Sequence, residues 1–203
     1  HDIVVRINRS IETISVFSKN IGGRTDILYS CLIEKPANAG KMNADELKQD
    51  FGIQLICAPP KSSMEGIAFQ TAFHDMVDFN NLKNIIEKIP VRLVDHIFFT
   101  NLARQISCRP NTGFMAIYDL LRCNPSKLSL YGFSFYLDGF LPGCKSGIED
   151  DININEDQFV DKCFNSERHI QKNMWLYAKN TLLTADNIFL DPVMKSILNM
   201  ESL

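Results

Sequence analysis

No apolar run in these 203 residues approaches the roughly 20 residues that a membrane-spanning helix needs, so no such segment is expected within them. Neither sign of charge dominates. Lys and Arg number 21 against 24 Asp and Glu, which leaves a net charge of −3. That balance gives no basic field for nucleic acid or an anionic membrane. An anionic ligand would instead need a local seat of backbone amides and a few cations. Internal repeats, low-complexity tracts and dividing linkers are lacking too, so one domain spanning residues 1–203 is the expectation. The six cysteines (Cys31, Cys57, Cys108, Cys123, Cys144, Cys163) never form a CxxC pair, which argues against a structural zinc site. Whether they are buried free thiols or include a disulfide stays open, and the cellular compartment follows that choice.

What is present alternates between strand-like and helix-like stretches. Asp2–Asn8 (DIVVRIN), rich in β-branched residues, reads as a strand, and Asp26–Leu32 (DILYSCL), Ile53–Ala58 (IQLICA) and Val91–Val94 also read as extended. Leu128–Phe133 (LSLYGF) is the clearest strand, and a short one is expected near Ile188–Leu190. Between them lie predicted helices: Asn43–Gln49, Leu82–Lys88, Asp95–Ile106, Phe114–Arg122, roughly Ser166–Lys179, and one after Pro192. Lys61–Asp78 supports no firm assignment. This alternation predicts an α/β fold, a Rossmann-like, mostly parallel sheet with helices on both faces.

One segment carries the clearest site signal. In RPNTGFMAIYDLLRCNPSKLSLYGF, Pro110 leads into a helix that Asn111 or Thr112 can cap. Gly113 removes a side chain in the first turn, where a ligand can approach the backbone. The helix start offers unpaired amides and partial positive charge, suited to phosphate or carboxylate. The following strand ends at Gly132, and ligands of open α/β sheets bind beyond the carboxyl ends of strands. On these grounds alone the segment is either an anion site in a nucleotide-binding fold or an ordinary capped helix packed on a sheet.

The segment PNTGFMAIYDLLRC…LSLYGF resembles the "S" motif of sialyltransferases, glycosyltransferase family 29, through Pro110, Thr112, Gly113, Cys123, Tyr131, Gly132 and Phe133. Asn111 stands where that family usually has Ser. Upstream, DIVVRIN followed by GGRTDILY is similar to the second half of the family's "L" motif, and the two blocks occur in the family's order. The resemblance implies a sialyltransferase-type fold and an inverting transfer of sialic acid, or a related sugar, from a CMP-sugar donor to a glycan hydroxyl. It implies donor contacts at Asn8, Asn111, Thr112, Gly113, Gly132 and Phe133. It also implies His169 as the base on the acceptor, from a His motif in which Glu follows five residues later. Here that later position is Met174. The family's His-Tyr element is absent from 134–165, so contact with the leaving phosphate falls to Tyr136, Lys145 or another group.

The partners implied are therefore a nucleotide-sugar donor and a glycan acceptor, with no nucleic acid. No metal and no further cofactor is expected: the resembled family works on a monophosphate donor, and Glu149-Asp150-Asp151 reads as a solvated acidic loop rather than an Asp-x-Asp cation site. His96 in DHIFF reads as a packed core or boundary histidine, and nothing specifies His74. The family's Gly-Asn-Gly/Ser loop belongs before the first strand here, so an N-terminal segment is expected upstream. Localisation stays open between the Golgi lumen, where eukaryotic relatives work, and the cytoplasm. Two other readings remain: a transferase using a different nucleotide sugar, and a homologue that binds nucleotide or glycan without turnover.

Overall fold

The computed structural model describes residues 2–11, 14, 18–19, 22–34, 39–60, 79–137 and 169–203. Their contacts gather into two compact units, the first ending at Ile97 and the second beginning at Phe98. Each unit is described by itself.

The first unit is an α/β layer built on a four-stranded sheet, with β1 (Val5–Ile7), β2 (Ile27–Tyr29), β3 (Leu55–Ala58) and β4 (Val91–Leu93) all parallel and side by side in chain order. Helices α1 (Ala44–Gln49) and α2 (Phe79–Lys88) fall between β2 and β3 and between β3 and β4. This is consistent with a Rossmann-like fold. A progressive order joined by right-handed crossovers sends every connection over the same face. The packing agrees: Ala44 and Leu47 of α1 and Ile85 of α2 share one core with Leu28, Ile56 and Ala58 of the strands, joined by Ile11 and Ile14 from the first connection. The expectation of helices on both faces is thus met, for the described helices of this unit, on one face. The opposite face is buried as well, at Tyr29 and Cys57, as parallel sheets require.

The two blocks DIVVRIN and GGRTDILY are fastened to each other. Arg6 donates from Nε to Thr25 Oγ1 (3.0 Å) and from Nη2 to the Gly22 carbonyl (2.8 Å). Asp26 Oδ2 accepts from the Val4 N–H at 2.6 Å and from Arg24 Nε at 2.9 Å. These polar residues hold β1 and β2 in register. The strands are shorter than the sequence suggests. Asp2–Val4 precede β1, and Asn8 turns away into a 3-10 turn, Asn8–Ile11, with φ at 46°. Residues 30–32 leave β2, and Leu32 takes φ 61°. Asn43 caps α1 as expected, accepting from the Asp45 and Glu46 N–H groups.

The second unit packs α3 (His96–Ile106, from Phe98 on), α4 (Thr112–Leu121), α5 (Gln171–Leu182) and α6 (Pro192–Leu198) with a two-stranded parallel sheet, β5 (Leu128–Leu130) and β6 (Ile188–Leu190). Its core joins Leu102 and Ile106 of α3, Phe114, Ile117 and Tyr118 of α4, Met174, Trp175, Ala178 and Leu182 of α5, and Met194, Ile197 and Leu198 of α6. The Trp175 indole donates to the Ile197 carbonyl at 2.9 Å, which satisfies its one polar atom in that apolar setting. β5 stops at Leu130, because Gly132 adopts φ 73° and turns the chain. Helix α5 begins at Gln171, so the described part of the expected Ser166–Lys179 helix starts later and runs on to Leu182. Residues 166–168 lie outside the described residues, as do Lys61–Asp78, His74, Cys144, Lys145, the acidic run from Glu149, and Cys163. No disulfide joins the described cysteines Cys31, Cys57, Cys108 and Cys123 to one another.

Candidate functional site

The start of α4 is the centre of the arrangement. Asn111 is its N-cap, in extended conformation, with Oδ1 accepting the Phe114 N–H at 2.8 Å. Asn and Ser cap a helix equally well, so Asn in the place of Ser keeps the local geometry. The N–H groups of Thr112 and Gly113, in the first turn, have no intrahelical acceptor. They carry the positive end of the α4 dipole.

Gly113 is matched to its surroundings. A Cβ built there would meet Phe133 Cε1 at 3.0 Å. The missing side chain is thus the space into which the Phe133 ring fits, and it brings the turn after β5 onto the start of α4. Gly132, one residue earlier, donates its N–H to Asp191 Oδ2 at 2.6 Å, while Asp191 Oδ1 accepts the Met194 N–H at 2.7 Å. Asp191 therefore ties the end of β5 to the start of α6. Sequence reasoning missed it, although an Asp-Pro pair directly after a strand-like run is a helix-start signal.

His169 joins the same region. Its Nδ1 lies 2.8 Å from the Arg109 carbonyl oxygen, at the turn leading into α4. A carbonyl can only accept, so Nδ1 is the donor in this contact. His169 precedes the helix rather than opening it, since the N-cap of α5 is Ile170. Nearby packing fixes the approach: Asn173 Nδ2 donates to the Ile106 carbonyl at 2.8 Å, and Cys108 Sγ lies 3.8 Å from the Ile170 carbonyl. The half-buried Arg109 places its guanidinium 5.4 Å from the centre of the Phe99 ring.

Met174 occupies the position where the resembled motif has Glu. It is 0% exposed within the core of the second unit, so an ionised carboxylate there would be stripped of water. Tyr136 sits in the turn after Phe133, where Phe135 and Tyr136 both take positive φ, 52° and 64°. Two consecutive non-glycine residues in that region are uncommon.

The structure thus brings Asn111, Thr112, Gly113 and Phe133 together, sets His169 against the same turn, and joins Gly132 to it through the chain. Asn8 belongs to the first unit. There its Oδ1 accepts the Cys31 N–H at 3.0 Å, which leaves the carboxamide N–H₂ as its donor group. Asn8 also lines a small cleft with Ser30, Lys41, Asn43 and Glu46, just beyond the carboxyl ends of β1 and β2. Among the described residues, no helix is long and apolar enough to cross a membrane. Comparison of the chain with models of known protein families, with curated proteins and with solved structures finds no match.

Proposed function

We propose that this chain is an inverting glycosyltransferase of the sialyltransferase type, moving sialic acid or a related sugar from a CMP-linked donor to a glycan hydroxyl. The reading rests on the resemblance of its two sequence blocks. The observation that carries it is the 2.8 Å contact between His169 Nδ1 and the Arg109 carbonyl, across 60 residues of chain. It supports the reading by bringing His169 to the stretch of chain that leads into α4. As the bond from sugar to phosphate breaks, negative charge grows on the phosphate. The Thr112 and Gly113 amides at the start of α4 are suited to receive it. His169 Nε2 takes the proton of the acceptor hydroxyl as its oxygen attacks the anomeric carbon from the opposite side. Asn8 takes its role, a donor contact, from the resemblance alone.

The test is kinetic. His169→Ala is expected to lower turnover by roughly 10²–10⁴-fold with CMP affinity retained, and unchanged turnover would remove His169 from the mechanism. A panel of CMP- and UDP-linked donors in a thermal-shift assay separates sialic acid from other sugars. Met174, buried where the resembled motif has Glu, favours a second reading: a homologue that binds nucleotide without turnover. Measurable CMP binding alongside donor hydrolysis at the background rate would select it.

A further inference from the structure

The two-stranded sheet of the second unit has faces of opposite character. Leu128 and Leu130 of β5 and Ile188 and Leu190 of β6 pack into the core or against it. Side chains alternate along a strand, so Lys127, Ser129 and Tyr131 fall on the other face, and the register sets Phe189 beside Ser129. Tyr131 and Phe189 are 57% and 44% exposed, large values for aromatic residues. Their ring centres lie 5.8 Å apart at an interplanar angle of 44°. The Lys127 ammonium stands 5.7 Å from the centre of the Phe189 ring.

We propose that this outward face is a saccharide platform, which holds the glycan that accepts the transferred sugar. Its role as acceptor site rests on the glycosyl-transfer reading above. Saccharide binding itself rests on the following chemistry. A pyranose ring presents a face of C–H bonds with partial positive charge, which suits the negative face of an aromatic ring, while its hydroxyls stay in water at the rim. Tyr131 and Phe189 supply two adjoining rings, enough for a short oligosaccharide. Lys127, the Ser129 hydroxyl and the Tyr131 hydroxyl supply polar groups beside them. A protein partner suits the face less well. A fully buried aromatic side chain covers about 150–250 Å², and two half-exposed rings fall well short of the roughly 800 Å² per partner of a stable interface. The platform is also continuous with the candidate site, since Tyr131 directly precedes Gly132 and the Phe133 ring that fits over Gly113.

The experiment titrates the full chain with a neutral N-acetyllactosamine tetrasaccharide, and separately with CMP. It uses the wild type and the variants Tyr131→Ala, Phe189→Ala and Tyr131→Phe. Each alanine variant is expected to weaken tetrasaccharide affinity about 5–10-fold, Tyr131→Phe to stay within about twofold because the ring is kept, and CMP affinity to be the same throughout. Three results would overturn the platform: no tetrasaccharide binding by the wild type, wild-type affinity in both alanine variants, or alanine variants that dissociate a dimer in sedimentation without changing saccharide affinity. Tetrasaccharide binding that depends on the two rings in a protein that does not bind CMP would defeat the transferase reading instead, and leave the platform standing.

Discussion

Asp191 and Gly132 are joined by a 2.6 Å hydrogen bond, from the glycine N–H to Oδ2, across 59 residues of chain. The same carboxylate caps α6 through Oδ1. One side chain thus determines both where the turn after β5 lies and where α6 starts. Asp191→Ala removes both acceptors and is expected to cost about 1–3 kcal/mol, the sum of a lost cap and a partly buried amide left unsatisfied. Asp191→Asn keeps one carbonyl oxygen and should lose about half as much. Urea denaturation of the three proteins measures this, and equal midpoints would show that the bond contributes nothing.

Gly113→Ala sets two effects against each other. Alanine favours a helix over glycine by up to about 1 kcal/mol, but its Cβ would sit 3.0 Å from Phe133 Cε1. Stability is expected to change by less than about 1 kcal/mol while the Phe133 ring is pushed out of place and CMP affinity falls. Adding Phe133→Leu to the alanine variant should recover part of the loss. CMP titration and denaturation midpoints together separate the local effect from a global one.

The Tyr118 hydroxyl lies 2.5 Å from Thr181 Oγ1, which itself donates to the Tyr177 carbonyl at 2.8 Å, and so links α4 to α5. Burial raises the Tyr118 pKa well above the ordinary phenol value, partly offset by the Thr181 hydrogen bond, and Tyr177 adds to the rise. The folded state therefore favours the neutral phenol. Its contribution to stability is complete below the unfolded-state pKa of about 10 and is lost as pH climbs above that value. Stability should drop from about pH 10 upward, and Tyr118→Phe should flatten that drop at a cost of about 1 kcal/mol at neutral pH. Thermal melts between pH 7 and 11 check both.

Met174→Glu would complete the His-to-Glu spacing of the resembled motif, yet it is expected to damage the protein. The side chain is fully enclosed beside Trp175 and Ala178, and a carboxylate there should cost about 3–5 kcal/mol. Denaturation of this variant beside Met174→Leu, which keeps the volume, isolates the charge. Wild-type stability with glutamate present would mean that position 174 opens to water in solution.

Local chemistry was enough to read the elements from residue order. Asn43 and Asn111 cap helices as their side-chain acceptors allow, and the strand-like stretches around Val5, Ile27 and Ile56 lie in parallel strands. Ile188–Leu190 fell where expected. Strand ends were overestimated, because Asn8 and Gly132 take left-handed backbone, which these residue types permit but do not require.

The amino-acid order by itself determined where helices and strands form, the two blocks that carry the resemblance, and the amide-rich start of α4. Those follow from interactions within a few residues. Tertiary structure alone decided that the strands of the first sheet lie side by side in chain order, that Asp191 holds Gly132, that His169 rests on the Arg109 carbonyl, and that Met174 is core. Each of these joins groups far apart along the chain. No local propensity encodes such a pairing, because it forms only when apolar surface is buried around it.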